Sequence, residues 1–271
     1  RKLRTVSQIL AALRILVQSF GYRLRMREAN NLAVSASMMV AFAMPWSDVA
    51  YRGLYALVLN VYVYLMNDYF DIDVDLASPG KNQRKTQYMA DHRGAALGAL
   101  VGLGAALLGA ALLHSWLLVV AFASNTVVIL VYSAWLKRVP IADLVLMAIA
   151  GGTMTMVGLP GRPLGWTLIG LLALICASFE VIQVIRDEPA DREKDVRTTA
   201  VLLGARRAGW IYRGLMVVAA GYGFLVVGSP VALVLLLAVP LPMTPQKAAR
   251  SWDLVRVVAG SVWAALLVQI Y

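Results

Sequence analysis

Apolar runs long enough to cross a bilayer recur along almost the whole of this 271-residue chain. A hydrocarbon core of roughly 30 Å takes about 20 apolar residues in a helix. Sixty per cent of the residues are hydrophobic and only 15% are charged, where a soluble domain has about a quarter charged. The expected fold is therefore an all-α, multi-pass membrane protein. Nine segments are drawn, at about 30–46, 51–72, 94–113, 115–135, 140–159, 164–186, 208–227, 229–243 and 253–271. The eighth is short and carries Pro240 and Pro242. Residues 1–271 form one transmembrane domain. Its first 28 residues are basic and amphipathic with no small-residue cleavage site, which predicts an interfacial helix and no signal peptide.

The net charge of +10 raises the question of nucleic acid, and the positions of the charges answer it. With the N-terminus in the cytoplasm, all 25 basic residues except Arg52 and Arg162 fall on the cytoplasmic side, as the positive-inside rule requires. The C-terminus then lies outside, and segments 73–93 and 187–207 form cytoplasmic cap loops. The basic excess is an orientation signal and part of a site, so no nucleic acid is expected; no protein partner is evident. Cys176 stands alone in an apolar run and is expected to pack. Gly94, Gly98 and Gly102 form a small-residue series that predicts close helix contact.

The stretch "NDYFDIDVD" closes the second segment. Asn67, Asp71 and Asp75 follow one another at spacing four, on one helix face, with Asp68 beside them. Carboxylates this close repel one another unless a cation joins them, and oxygen ligands of this kind suit magnesium. A second run, "RDEPADREKD", follows the sixth segment with Asp187, Asp191 and Asp195 at the same spacing, 120 residues after the first. Four segments separate the two motifs, which puts them on one side of the membrane, as in a parallel duplication of a four-helix unit plus a ninth helix. Facing acidic clusters suit two magnesium ions and a diphosphate leaving group.

These motifs resemble those of the UbiA-type intramembrane prenyltransferase superfamily. "YSAWLKR" is similar to a family segment after the fourth helix, giving Tyr132, Ser133 and Lys137, with Asp143 following; "DVRTTAVLLG" is similar to the stretch after the second motif. Arg27 with Asn30 resembles the entry to the first helix, although Glu28 stands where proline is common. The family's Arg-Pro…Gly run after the first motif is replaced by "SPGKNQRKTQYMADHRG". The resemblance implies nine helices around a cavity, a polar cytoplasmic cap, and magnesium-bound isoprenyl diphosphate. It implies metal ligands among Asn67, Asp68, Asp71, Asp75, Asp187, Asp191 and Asp195.

Polar residues two turns before these motifs extend the site. Asn60 precedes Asn67 by seven, Asn125 precedes Tyr132 by seven, and Glu180 precedes Asp187 by seven with Gln183 between. Polar groups inside spans are costly and usually face a cavity or a partner. Arg27, Lys81, Lys137 and Arg197 are candidates for the diphosphate oxygens, with Tyr132 and Ser133 beside them. Asp71, Asp191, Lys137 and Glu180 are the candidate catalytic residues; Glu180 would orient the acceptor and take its proton. Related archaeal-lipid enzymes have lysine where Gln183 stands, which argues against a glycerol phosphate acceptor. Tyr62, Tyr64, Phe70, Trp135 and Phe179 are candidates for the cavity wall. The expected reaction is magnesium-dependent transfer of an isoprenyl group to a lipophilic or aromatic acceptor, with substrate tails reaching membrane lipid. A terpene cyclase of the same fold is the alternative. An ion-coupled transporter fits less well, because most acids lie at helix ends, and a head-group transferase of the CDP-alcohol type lacks its Gly-Ala-Arg element here.

Overall fold

The structure is a computed structural model that describes residues 2–25, 30–76, 82–136, 139–193 and 196–271. Twelve α-helices and short 3-10 pieces account for most of them, and no strand occurs among the described residues. In chain order the helices are α1 (Lys2–Arg25), α2 (Asn30–Ala41), α3 (Trp46–Phe70), α4 (Ile72–Leu76), α5 (Gln83–Asp91), α6 (Arg93–His114), α7 (Trp116–Ala134), α8 (Ala142–Thr155), α9 (Pro163–Glu193), α10 (Thr199–Leu203), α11 (Ala205–Leu225) and α12 (Pro245–Ile270).

Five helices, α3, α6, α7, α9 and α12, are long and apolar enough to cross a membrane alone. The other four expected spans differ. α2 has 12 residues, and α8 has 14 followed by a 3-10 turn at Met156–Gly158. α11 has 21 residues but carries Arg206, Arg207 and Arg213 in its first half. The eighth is a nine-residue 3-10 helix, Pro230–Ala238, and not an α-helix. Pro230 at its start and Pro240 and Pro242 just beyond its end confine it. At about 2.0 Å per residue it rises roughly 18 Å, short of the hydrocarbon core.

The segments expected as cap loops are largely helical where described. α4 and α5 occupy most of 73–93. α9 runs on through Pro189 to Glu193, and α10 follows. Where they are described, both acidic motifs therefore stand on helices or at a helix cap, which fixes the direction of their side chains.

The turn between α2 and α3 shows why α2 is short. The Met44 amide donates to Met39 O (3.1 Å) and the Ala43 amide to Val40 O (2.9 Å). Ala43 takes φ +50. This is a Schellman helix stop, with alanine where glycine is usual, and Pro45 then caps α3.

Helices meet in a closed ring. α2 touches α3 and α8; α3 touches α6 and α7; α7 touches α8; α8 touches α9; α9 touches α11 and α12; α12 touches α2. The core is split accordingly. One apolar cluster joins α1, α3, α6, α7 and the end of α8, and another joins α8, α9, α11, α12 and the 3-10 helix. A smaller seam of Met38, Phe42, Leu168 and Trp263 closes the ring, where the Trp263 indole donates to Ser37 Oγ (3.0 Å).

Gly94, Gly98 and Gly102 do not make the expected close contact. A Cβ added at Gly98 or Gly102 meets nothing within 4 Å, because α6 packs through Ala95, Ala96, Ala99 and Leu107 on its other side. Close approach occurs at Gly158, where a Cβ would fall 2.4 Å from Ser35 O, and at Gly151, where it would fall 2.3 Å from Cys176 Sγ. Cys176 thus fills the space that glycine leaves between α8 and α9.

Candidate active site

The first motif continues the line of α3 past its formal end. The Asp71 amide donates to Asn67 O (3.0 Å) and the Asp75 amide to Asp71 O (2.8 Å). Asn67, Asp71 and Asp75 therefore share a helical face, with Asp68, Asp71 and Asp75 all buried. Asn67 Nδ2 donates to Asp71 Oδ2 (3.0 Å), and Ser133 Oγ from α7 donates to Asn67 Oδ1 (3.1 Å). The amide of Asn67 is thereby held in one orientation between two helices. Asp73 points away and pairs with Arg93 in solvent.

A base that sequence reasoning passed over closes this motif. Asn82 caps α5, its side chain accepting from the Lys85 amide (3.2 Å), and Gln83 Nε2 donates to Asp75 O (3.1 Å). α5 is folded back by these contacts, so that Lys85 is buried and its Nζ lies 2.5 Å from Asp68 Oδ2. The only advance signal was the cap residue itself, three positions before the lysine.

The second motif lies on the last turns of α9. Thr198 Oγ1 donates to Asp191 Oδ2 (3.4 Å), and the Val196 amide to Asp191 O (2.9 Å). Asp187 turns aside to its neighbour Arg186, at 2.7 and 2.9 Å, with 42% of its side chain exposed. Glu188 is more enclosed, at 14%, and is held by Arg192. Register explains it: Glu188, Asp191 and Asp195 stand 120 residues after Asp68, Asp71 and Asp75, with the same spacing. Glu188 is thus the counterpart of Asp68, and the 120-residue offset was the signal that could have found it.

A third carboxylate ties the two halves. Asp143, 1% exposed, accepts from the Thr199 amide (2.9 Å), Thr199 Oγ1 (2.5 Å) and the Leu144 amide (2.9 Å). Thr199 Oγ1 in turn accepts from the Ile141 amide (2.6 Å). Ile141 has φ +71, a strained conformation for a β-branched residue. This knot fixes the segment between α7 and α8 against the one that follows the second motif.

Tyr132, near the end of α7, brings the motifs together. Its phenol lies within electrostatic reach of the carboxylates of Glu180, Asp143, Asp71 and Asp191. Asn60 and Glu180 are buried, at 6% and 5% exposed. Asn125 is fully enclosed; its Nδ2 donates to Ala121 O (2.7 Å), and its Oδ1 has no hydrogen-bond partner among the described residues. Gln183 is half-buried and Arg197 exposed. Among the aromatic candidates, Tyr62 is buried against Phe122 (centroids 5.6 Å) and Phe179 packs on Trp252 (4.7 Å), while Trp135 is 66% exposed. Arg27, Lys81, Lys137 and Asp195 lie outside the described residues.

Among the described residues the buried acids here are Asp68, Asp71, Asp75, Asp143 and Glu180, and the buried base is Lys85. The donor set is all oxygen, which fits a hard divalent cation. No three of the described carboxylates converge as a preformed cage. Magnesium does not need one, since it keeps several waters and uses one or two carboxylates with substrate phosphates.

The UbiA prenyltransferase family matches residues 31–267. The chain belongs to that family. It is 29% identical over 190 residues to the lycopene elongase/hydratase of Haloferax volcanii, covering 64% of this chain and 58% of that protein. It is 34% identical over 146 residues to a digeranylgeranylglyceryl phosphate synthase of Halobacterium salinarum, covering 53% of this chain and 52% of that one. The chain thus spans about half the length of these relatives. In fold it is similar to a UbiA homolog from Archaeoglobus fulgidus bound to DMAPP and Mg2+ (TM-score 0.68, 16% identity, 92% of this chain and 98% of that one). It is equally similar in fold to a UbiA homolog from Aeropyrum pernix (TM-score 0.67, 19% identity, 89% and 97%). This UbiA-family chain is therefore a multi-pass membrane protein with the fold of that family.

Proposed function

We propose that this chain transfers an isoprenyl group from an isoprenyl diphosphate to a lipophilic or aromatic acceptor. The observation that carries the reading is the grouping, among the described residues, of the buried Asp68, Asp71, Asp75, Asp143 and Glu180 with the half-buried Asp191 of the second motif at one end of the bundle. The Archaeoglobus fulgidus homolog binds a prenyl diphosphate with Mg2+, and the same ligands suit this donor set. Asp68, Asp71 and Asp75, with Glu188, Asp191 and Asp195, would hold magnesium, which would neutralise the charge that develops on the diphosphate.

The chain's own residues do the rest. Ser133 and Asn67 hold Asp71 in place. Lys85 and the Tyr132 hydroxyl donate to diphosphate oxygens, with Arg27, Lys81, Lys137 and Arg197 as further donors. The allylic group lies in the apolar interior, where aromatic faces stabilise positive charge by about 0.5–2 kcal/mol each. Glu180, seven residues and so roughly 10 Å below Asp187, orients the acceptor and accepts its proton. The neutral Gln183 on this face favours a neutral acceptor over a glycerol phosphate.

The motif end faces the cytoplasm in this reading, with the N-terminus inside and the C-terminus outside. Cysteine labelling of intact cells should reach a probe near Arg162 and not one near Lys81. The catalytic reading is tested with purified protein and defined prenyl diphosphates, following diphosphate release and product mass. Release should need magnesium and stop in EDTA. Full turnover in EDTA sinks the reading, and a product formed without any acceptor marks cyclisation instead.

A further inference from the structure

α1 reaches the first acidic motif through α5. Two cation–ring contacts join these helices in opposite senses. The Arg14 guanidinium of α1 lies 4.4 Å from the Tyr88 ring of α5, and the Lys85 ammonium of α5 lies 4.7 Å from the Tyr22 ring of α1. Lys85 is therefore held on one side by the half-buried Tyr22 face and on the other by Asp68. Lysine is a compact charge on a flexible stem, and its backbone is fixed here by the Asn82 cap.

The outer side of α1 says what fixes Tyr22. Val6, Ile9, Leu10, Leu13, Val17 and Phe20 are exposed, and their spacing of three and four places them on one stripe. Ala11, Ile15 and Ser19 are buried on the opposite side. An exposed apolar stripe on a basic helix belongs at a membrane surface. α1 is thus seated between the membrane and the helix that carries Lys85.

We propose that Tyr22 is a positioning residue for the transfer reaction. Its ring holds the Lys85 ammonium beside Asp68 and within reach of the diphosphate, which makes the interfacial helix part of the diphosphate-binding apparatus. This rests on the prenyltransferase reading above. A cation over an aromatic face keeps that contact while its other partner changes from the Asp68 carboxylate to a diphosphate oxygen, so the ammonium is never left buried without a counter-charge.

The test compares Tyr22→Leu, Tyr22→Phe, Arg14→Leu and Lys85→Met in detergent. The readouts are binding of geranyl diphosphate with magnesium, the Tm shift caused by magnesium alone, and the split between KM and kcat. Lys85→Met should weaken diphosphate binding at least about tenfold. It should also enlarge the magnesium-only Tm shift, because Asp68 has lost its lysine. Tyr22→Leu should weaken binding about fivefold and raise KM to match, with kcat little changed. Tyr22→Phe keeps the ring and should behave as the parent. Arg14→Leu breaks the other cation–ring contact of the same interface and should leave binding unchanged. If Lys85→Met binds normally, the assignment of Lys85 to the diphosphate fails. If Lys85→Met is weakened but Tyr22→Leu is not, that assignment stands and the role of Tyr22 is overturned. Equal damage from Arg14→Leu or Tyr22→Phe also overturns it, since docking of α1 or the hydroxyl would then be the cause. Should leucine lower the folded yield, Tyr22→Gln gives the same readouts.

Discussion

The two ends of α3 each hold an aspartate beside a base, and they are built to different purposes. At the N-terminal end Asp48 accepts from Arg52 Nε (2.9 Å) and faces His114 Nε2 at 2.5 Å. Arg52 is buried and also donates to Val157 O (3.2 Å) and Leu159 O (3.1 Å). Tyr51 stacks on His114 at 4.1 Å and donates to Ala110 O (2.8 Å). A concavity of about 500 Å3 opens there, lined by Asp48, Arg52, His114 and Ser115 among others. Its charges already answer one another and tie α3 to α6 and to the turn after α8. At the C-terminal end, among the described residues, Asp68, Asp71 and Asp75 are buried together beside Lys85. The comparison teaches that the kind and spacing of the side chains, rather than the size of a hollow, distinguish the end proposed to hold a cation.

The sharpest way to break this contrast is Asp71→Asn. The amide keeps the shape and removes one buried negative charge. Turnover should fall at least about a thousandfold, roughly 4 kcal/mol in the barrier. Tm measured in EDTA should change little, because the amide keeps the volume and its oxygen can still accept from Asn67 Nδ2. Retained turnover, or a large loss of Tm in EDTA, would mean that the acids serve the fold and not a cation.

Arg52→Met probes the other end and should do the reverse. It leaves Asp48 with His114 alone and leaves the Val157 and Leu159 carbonyls without this donor. Breaking a buried pair costs about 3 kcal/mol, seen as a lower Tm. Turnover per folded molecule should stay within about twofold. A loss of magnesium-dependent diphosphate binding in this variant would show that the two ends are not independent.

Thr199→Val tests the knot behind the motifs. Valine fills the same space but gives up the bonds to Asp143 and Ile141. Asp143 would be left buried with fewer donors, at a cost of about 2 kcal/mol. Thr199→Ser should restore most of it. Equal stability of the valine and serine variants would show that the strain at Ile141 is held elsewhere.

The motifs were legible because their spacing is a property of one helix face, and the 120-residue offset carries that face from α3 to α9. The long apolar spans were legible for the same reason, since a helix that must cross lipid declares its length. Lys85 was not, because its place beside Asp68 depends on α5 folding back, and Lys81 stood nearer the motif in the sequence. Glu188 was hidden because Asp187 offered a second acid at spacing four, and only the register separates them. The 3-10 form of Pro230–Ala238 was half visible in its prolines; hydropathy reports that a segment is apolar and not how steeply it rises. α6 shows the opposite error: glycines at spacing four suggested a contact, and the alanine face made it.

Glu180 lies on α9, two turns inside the motif end, and sharpens the comparison by asking how far that end reaches. It is 5% exposed, where a charged carboxylate costs about 2.5–3.5 kcal/mol on insertion scales. Packing alone would be served by leucine. Glu180 stands four residues after Cys176 and seven before Asp187 on α9, between the motif above and the close contact of α8 and α9 below. If it orients the acceptor and takes its proton, Glu180→Gln should bind prenyl diphosphate as the parent does, since the substitution keeps the side chain's volume and lies two turns from Asp187. Turnover should fall about tenfold, equivalent to 1.4 kcal/mol in the barrier. The loss should appear in kcat at saturating prenyl diphosphate. A purely structural role predicts a change in Tm with turnover per folded molecule intact. Near-normal turnover at unchanged Tm would place the boundary of the reactive end above Glu180, at Tyr132.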